Sequence, residues 1–408
     1  MQTAPAQNTR KTAFSIIAVL SLAHFLNDTM QSIINAVYPL LKENLALTFS
    51  QIGIIIFTYQ ISASIMQPLF GYVFDRKPAP YILPVGMIFT MSGLCGIAFS
   101  RSFETLVASI FFSGAGSSIL HPEASKLTSI ASGGRRGLAQ SVFQVGGSVG
   151  HSLGPMLAAL LITPYGQRNI AYFGALAIVA VIWLFPVCRW HSNEIKAAKS
   201  QNREIAARNK PLPKKTVVFV MTILMFLVFS KNFYTASLSS YYTFYLIEKF
   251  GMSIEGSQMM LFAFLFASAL GTLLGGPFGD KYGRRLVIWI SIVGAAPFAL
   301  LMPYASFHQT LVVSMIIGFI ISSAFPAILV YAQELLPMKL GLVSGLFFGF
   351  AFGFGGISSA ILGKITDMCG IDFVYQICSF IPLAGMAAYF LPRVRDLKKL
   401  EENGKNNP

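Results

Sequence analysis

Long apolar segments separated by short polar ones run through almost the whole chain. About 20 consecutive apolar residues are needed to cross the hydrocarbon core of a bilayer as an α-helix. Twelve segments have about this length or more, six in each half of the chain: 13–40, 50–74, 81–100, 103–125, 137–162, 169–189, 216–247, 256–279, 286–304, 309–331, 341–364 and 373–392. We therefore predict an all-α membrane protein with twelve transmembrane helices in two six-helix bundles.

Short motifs recur about half a chain apart. The string GPFGDKYGRR at Gly276–Arg285 has a degenerate copy, GYVFDRKPAP, at Gly71–Pro80, 205 residues earlier. GLVSGLF at Gly341 follows GLAQSVF at Gly137 by 204 residues. These repeats predict that the two bundles are pseudo-symmetric. Parallel repeats of this kind place a transporter's substrate site between the halves, near the middle of the membrane.

Composition and charge support this architecture and set its orientation. Apolar residues make up 54% of the chain, charged residues 11%, and the mean hydropathy is +0.64, which excludes an ordinary soluble domain. Lys and Arg concentrate in alternate loops, above all in 190–215, and basic loops stay in the cytoplasm. We expect bundles at 1–189 and 216–408, a cytoplasmic linker at 190–215, and both termini in the cytoplasm. The net charge of +14 then faces lipid headgroups and requires no nucleic acid.

The first segment carries ionisable and amide side chains on one helical stripe, because His24, Asn27, Asp28 and Gln31 are three or four positions apart. An ionisable group in a membrane helix is costly unless it faces a cavity or a partner, so the stripe predicts a water path or a polar interface. Asp28 lies about halfway along the segment and is a candidate proton carrier, and we name His24, Asn27 and Gln31 as substrate-binding candidates. The alternative is a structural cap or a contact between helices.

The seventh segment carries Lys231 and Asn232, and subtracting 204 gives Asn27 and Asp28, so an acid and a base are expected at equivalent depths. Lys231 is a candidate anchor for an anionic substrate group, with Asn232 and Tyr234 as nearby hydrogen-bonding candidates. A buried ion pair between Lys231 and Asp28 that holds the halves together is the alternative. Three further tyrosines either help the substrate site or form an interfacial belt: Tyr241, Tyr242 and Tyr245.

The fourth segment carries His121 and Glu123, which are further candidates for proton coupling because imidazole titrates near physiological pH. Structural contacts of Glu123 with Arg135, Arg136 or Lys126 are the alternative. In the fifth segment we name Gln144 and His151 as substrate-binding candidates, although His151 is also typical of a packing histidine.

Glycines in the fifth segment are four apart at Gly146, Gly150 and Gly154, with Pro155 next, and this spacing gives a flat helix face suited to close packing. The four cysteines lack metal-binding spacing and no phosphate-binding glycine loop is present. We therefore predict no metal, no cofactor and no use of ATP. We also expect no enzymatic activity and a functional monomer.

These motifs resemble those of the major facilitator superfamily over essentially the whole chain. The resemblance implies twelve helices in two bundles and gating loops formed by Gly71, Asp75, Arg76, Gly276, Asp280, Lys281, Gly283, Arg284 and Arg285. In the first copy, Pro78, Ala79 and Pro80 replace the glycine and the basic residues. The acid of the loop motif, at the cytoplasmic end of its helix, is expected to face the positive N-terminus of a neighbouring helix. This contact is expected to favour the state closed to the cytoplasm.

Within that superfamily, GGSVGHSLGP at Gly146–Pro155 resembles the antiporter motif, which implies tight packing on a helix of the other half and an exporter. Strings such as SLAHFLNDTMQSI at Ser21 and SSILHPEASK at Ser117 resemble bacterial exporters of the phosphonate fosmidomycin. That resemblance implies proton-coupled efflux of a small anionic drug across the bacterial inner membrane by alternating access. A transporter or exchanger of phosphorylated or carboxylated metabolites, and a membrane receptor or scaffold, stay open as alternatives.

Overall fold

The computed structural model describes residues 12–205 and 212–392, and these residues contain helices and no strand. Twelve helices account for nearly all of them: α1 Phe14–Ala36, α2 Gln51–Arg76, α3 Ile82–Phe99, α4 Phe103–Ala131, α5 Arg136–Ile162, α6 Gln167–Ala197, α7 Lys214–Phe250, α8 Gly256–Tyr282, α9 Arg284–Tyr304, α10 Phe307–Leu335, α11 Leu340–Cys369 and α12 Ile371–Phe390. Within this described part, the eleven helices from α2 to α12 are long and apolar enough to cross a membrane. The predicted fold class is confirmed.

Two helices, α1 and α6, differ from the prediction. Helix α1 has 23 residues but carries the polar stripe, so its apolar character is weaker than that of the other eleven. Helical backbone continues from α6 to Ile205, so the first part of the predicted linker 190–215 extends the sixth helix. Residues 206–211, and the basic residues among them, lie outside the described residues.

The two halves meet through symmetric glycine contacts between α2 and α11 and between α5 and α8. A Cβ atom on Gly71 would collide with the backbone carbonyl of Gly341, and one on Gly276 with that of Gly137. Only glycine allows the backbones to approach this closely. The four positions are the repeated glycines of the sequence, so the internal repeat appears as a pair of equivalent helix crossings between the halves.

The glycine face of α5 packs on α1, inside the first half. A Cβ atom on Gly146 would meet the carbonyl oxygen of Ser21, and one on Gly150 would meet that of Phe25. Gly154 lies against the hydroxyl of Ser32. The expectation that this face packs on a helix of the other half is therefore wrong, because it is the beginning of α5 that crosses between the halves.

We call the end of the bundle where α2 and α8 end and α5 and α11 begin the basic end. Near it, a buried polar cluster joins the halves: Gln333 donates to Ser344 (2.9 Å), whose hydroxyl lies 3.1 Å from that of Ser125. Gln140 donates to the carbonyl of Ser125 at 2.7 Å. All four side chains are fully buried, so the halves are in direct contact at the basic end.

Candidate transport site

A cavity of about 490 Å³ lies between the two halves. It extends from Asp28, in the middle of α1, towards the end opposite the basic end, where the exposed Ser239 and Ser240 line it. Its lining is rich in hydroxyl and amide groups: Gln31, Asn35, Tyr59, Gln60, Ser64, Ser117, Asn232, Thr235, Ser239, Ser240 and Ser359. A surface of this kind binds a small polar solute through hydrogen bonds. The space between the halves is therefore closed at the basic end, and the cavity faces the opposite end.

Asp28 lies between two histidines at the floor of this cavity. The carboxylate oxygens are 3.2 Å from Nε2 of His24 and 3.2 Å from Nε2 of His121. The carboxamide of Asn27 donates to Asp28 at 3.1 Å. Asp28 is 6% exposed and both histidines are 1% exposed. These side chains therefore contact one another and very little solvent.

The second nitrogen of each ring faces an oxygen that can only accept a hydrogen bond. Nδ1 of His24 lies 2.8 Å from the carbonyl of Phe143, and Nδ1 of His121 lies 3.0 Å from that of Ser117. The Ser117 hydroxyl is also 3.0 Å from Nδ1 of His121 and provides a donor there. A neutral imidazole has one proton and cannot donate at both nitrogens. Proton number and hydrogen bonding are therefore linked at this centre.

The hydrogen bonds at this centre depend on where its protons lie. If Asp28 and His24 share one proton across their 3.2 Å contact, His24 can donate from Nδ1 to the Phe143 carbonyl, and a neutral His121 can donate to Asp28 while it accepts from Ser117. In this conformation, Nε2 of His24 and the amide oxygen of Asn27 are buried and lack a hydrogen-bond partner. If that proton is lost, His24 must turn a lone pair towards either the carboxylate or the carbonyl, and a buried unpaired acceptor is costly. The geometry thus favours a proton-loaded centre in this conformation.

Nitrogen and carboxylate atoms of His24, Asp28 and His121 lie within 4.8 Å of one another. Side chains of these types at such spacing also occur in metal sites. The geometry of proton sharing explains the arrangement without further groups. The absence of a metal stays a prediction.

The rest of the predicted stripe is split between the cavity and the helix packing. Gln31 lines the cavity and accepts a hydrogen bond of 2.5 Å from Tyr59. Asn27 is fully buried behind Asp28. The stripe as a whole therefore forms both a water-accessible surface and a polar interface, as its pattern predicts.

Lys231 lies beside the cavity rather than in its wall. Its ammonium donates to the carboxamide oxygen of Asn232 at 3.4 Å and lies 5.7 Å from the centre of the Phe325 ring. Asn232 lines the cavity, whereas Lys231 is not among the lining residues. Among the described residues, the ion pairs of Asp28 are with the two histidines, so the alternative of an Asp28 to Lys231 pair is not what this conformation shows.

Other substrate-binding candidates separate into lining and packing residues. His151 is exposed and lines the cavity, so the interpretation as a packing histidine is wrong. Gln144 and Tyr234 are buried and do not line it. Tyr242 and Tyr245 are fully buried in the core of the second half. Tyr241 donates to the carbonyl of Ser359 at 2.6 Å.

A cluster of phenylalanines beneath the cavity, which the sequence did not single out, connects the halves. Phe348 of α11 lies 5.4 Å from the His121 ring and 6.3 Å from the His24 ring, measured between ring centres. It also packs on Phe325 at 5.5 Å, the ring next to Lys231. Phe143 and Phe352 complete the cluster. A continuous set of rings thus links the Asp28 centre to Lys231.

Both loop-motif acids bind the beginning of a helix in the opposite half. Asp280 accepts hydrogen bonds from the backbone amides of Gly137 (3.0 Å) and Leu138 (2.9 Å). Asp75 accepts from those of Gly341 (3.0 Å) and Leu342 (2.9 Å). A carboxylate at a helix N-terminus is stabilised by unpaired amides and by the helix dipole. We call these two contacts the latches.

The remaining loop residues surround the latches. Arg284 contacts Asp280 at 2.5 Å and Glu334 at 3.3 Å. Arg285 donates to the Tyr389 carbonyl at 2.6 Å. Gly283, with a φ of +97°, allows the sharp turn from α8 into α9. Two further cations lie over neighbouring aromatic rings, Arg76 over Tyr72 and Lys281 over Tyr282.

Comparison with known proteins agrees with this architecture. The family model described as Major Facilitator Superfamily matches residues 20–263 and 224–407. The chain belongs to the major facilitator superfamily. It is a membrane transporter of that family, similar over 382 residues and at 54% identity to the fosmidomycin resistance protein of Escherichia coli (strain K12), with 94% of each chain covered.

A second sequence relative and a solved structure also match this chain. An uncharacterized transporter of the superfamily, YfnC of Bacillus subtilis (strain 168), is 39% identical over 390 residues, with 95% of each chain covered. The crystal structure of the superfamily transporter FucP in its outward conformation matches with a TM-score of 0.71 at 15% identity, covering 92% of this chain and 98% of that one. The structural match supports the fold alone.

Proposed function

We propose that this chain exports small anionic phosphonate antibiotics of the fosmidomycin type from the bacterial cytoplasm in exchange for protons. The observation that carries the proposal is the Asp28 centre, a buried acid between two histidines at the floor of a cavity between the halves. The fosmidomycin resistance protein at 54% identity supports the cargo. The protein acts as a multi-pass inner-membrane transporter, with its basic end and both termini in the cytoplasm, and works as a monomer.

Proton loading fits the state of the structure, in which the cavity faces the side opposite the basic end. Asp28 lines a cavity that faces the side opposite the basic end, so protons reach it from outside. Once the proton is loaded, both histidines can donate a hydrogen bond, His24 to the Phe143 carbonyl and His121 to Asp28. Loss of the proton leaves a hydrogen-bond acceptor of the centre without a donor, next to Phe348. A conformational change that exposes the centre to the cytoplasm removes the cost of burying that acceptor. Exchange requires that proton and drug favour different states.

Lys231 is the anion anchor in this proposal. In the outward-facing state its ammonium is held by Asn232 and Phe325 and is withdrawn from the cavity wall, which fits a state that has released its anion. A lysine ammonium is a compact cationic partner for phosphonate oxygens. We infer that movement of α7 and α11 exposes it when the cavity faces the cytoplasm.

The test is expression in a drug-susceptible bacterium that lacks its own exporter, followed by flux in inverted membrane vesicles. We expect resistance to fosmidomycin and uptake of the drug into vesicles that depends on an imposed pH gradient. Protection against lipophilic cationic dyes alone would contradict an anion exporter. Drug binding without flux would identify a receptor, and inward transport of a phosphorylated or carboxylated nutrient by cells would identify an importer.

A further inference from the structure

The first latch obtains its cation from an unexpected helix. In the second half, Arg284 follows the loop motif and supports Asp280. In the first half the equivalent position is Ala79, yet Asp75 makes the same two backbone contacts. Its cation is Lys126 of α4, whose ammonium lies 3.6 Å from Asp75. Lys126 thus replaces the basic residues that the first loop has lost.

The carboxylate of each latch belongs to a set of three side chains, in which one basic side chain lies between two acidic ones. Lys126 lies 2.9 Å from Glu123 and donates to the Phe74 carbonyl at 3.1 Å. In the second half, Arg284 similarly lies between Asp280 and Glu334. The two sets differ in solvent contact, because the side chain of Glu334 is 27% exposed and that of Glu123 is 0% exposed. Charge changes in the first set are therefore screened far less.

The first set also contains a histidine with no counterpart in the second. Nδ1 of His191, on α6, lies 3.9 Å from Oε1 of Glu123. Both atoms are buried and neither has a hydrogen-bond partner. Two such atoms facing each other, a ring nitrogen and a carboxylate oxygen, become partners when one proton is added between them.

Charge balance favours such a proton. Glu123, Asp75 and Lys126 together carry a net charge of −1 when His191 is neutral, and burial of a net charge is costly. The charged and titratable groups that face Glu123 are Lys126 of its own helix, Asp75 of α2 and His191 of α6. One added proton brings the set to neutrality.

We propose that Glu123 and His191 together bind one proton, at a second site separate from the Asp28 centre, and that this proton controls the first latch. With the proton bound, Glu123 attracts Lys126 less, and Lys126 is left to support Asp75. The basic end then closes more firmly as the pH falls. The site is separate because His121 and Glu123, two positions apart, point to different sides of α4. The role of the latch in transport rests on the proposed proton exchange.

The experiment uses the full chain in lipid nanodiscs, with its native cysteines replaced and spin labels at the exposed Lys77 and Lys339 beside the first latch. The Asp28→Asn background removes the carboxylate of the other centre, so that a change in a carboxylic acid signal can be assigned to Glu123. We expect the closed-to-open ratio at the basic end to rise roughly tenfold from pH 8 to pH 5, the effect of one charge-assisted hydrogen bond. Glu123→Gln and His191→Gln are expected to abolish most of this change.

Glu334→Gln is the matched control, because it makes the same change in the set that has no histidine. It should alter the level of closure and keep the pH dependence. Infrared difference spectroscopy between the two pH values provides a readout independent of motion: a carboxylic acid band should vanish in Glu123→Gln and shift in His191→Gln.

An unchanged pH dependence in Glu123→Gln, or an unchanged infrared band, overturns the second proton site. Failure of the proposed function has a different signature, namely fosmidomycin flux that ignores the pH gradient in the unmodified chain.

Discussion

The hydrogen bonding of the Asp28 centre depends on its proton count, because two backbone carbonyls that can only accept face the histidines. Phe143 and Ser117 each offer a backbone carbonyl to one histidine, and Asp28 offers its carboxylate to both. A single proton therefore decides whether the acceptors around His24 have a donor. In the proposed mechanism, proton sensing therefore belongs to one carboxylate and two imidazole rings, all within the first half.

For Asp28→Asn we expect drug exchange across the membrane to survive and transport driven by a pH gradient to fall to background. An amide cannot release a proton, but it keeps the size of the side chain. The measurement is counterflow against gradient-driven flux in the same vesicles. Asp28→Glu is the control, since it retains an acid and should retain part of the coupling. Gradient-driven flux at the normal level in Asp28→Asn would exclude Asp28 as the carrier.

For Lys231→Gln we expect the affinity for fosmidomycin on the cytoplasmic side to fall roughly tenfold or more, because one charge-assisted hydrogen bond is lost. Lys231→Arg keeps the charge and should lose much less. Initial rates of uptake into inverted vesicles over a range of drug concentrations measure the effect. Equal affinities for Lys231→Gln and the unmodified chain would show that the anion binds elsewhere, with His151 as the next candidate.

At the scale of helices, glycine decides how α1 and α5 approach each other. A Cβ atom on Gly150 would meet the Phe25 backbone, whereas one on Gly53 of α2 would meet nothing within 4 Å. For Gly150→Val we expect a loss of about 1 to 3 kcal/mol in stability, the usual range for overpacking, seen as a lower melting temperature in detergent. Gly53→Val should melt near the unmodified protein. Similar melting of both variants would show that the α1 and α5 crossing tolerates displacement.

Phe348 on α11 is the ring that touches both histidines and leads to Lys231 through Phe325. For Phe348→Ala we expect drug binding to remain and the number of protons exchanged per drug to fall, because the link between the two centres is lost. Parallel measurement of drug and proton flux tests this. Phe352→Ala is a matched control that removes a ring packed against His121 but not against Phe325. A normal flux ratio in Phe348→Ala would mean that coupling does not pass through this ring.

Helix existence was predictable because membrane helices are long and apolar, and the repeat at 204 or 205 residues located the equivalent crossings. The pairing of side chains was less accessible. The spacing of His24 and Asp28 predicts their contact on α1, but the approach of His121 depends on how α4 packs. The partner of the α5 glycine face was predicted wrongly, since spacing indicates a flat face without indicating which helix covers it. Likewise, Lys126 acts for the lost basic residues of the first loop only because α4 and α2 meet in space.

At the scale of the whole molecule, we expect the two latches to oppose opening at the basic end in the same movement. Each consists of two hydrogen bonds from backbone amides to a carboxylate. Asp75→Asn and Asp280→Asn each keep one acceptor and lose the charge, so each is expected to shift the closed-to-open ratio by about 1.5 to 3 kcal/mol, or roughly ten- to a hundredfold. If the halves rock as rigid bodies, the double variant should show the sum of the two free energies.

Two label pairs make this test decisive. Lys77 and Lys339 report on the first latch, and the exposed Arg135 and Tyr282 report on the second. Because rigid halves separate at both places together, either single variant should change both distance distributions by the same ratio. A change confined to the pair beside the altered latch would instead mean that α2 and α8 release their partners separately. The cavity would then reach the cytoplasm by local helix movement, and the coupling between proton and drug would have to be carried by individual helices.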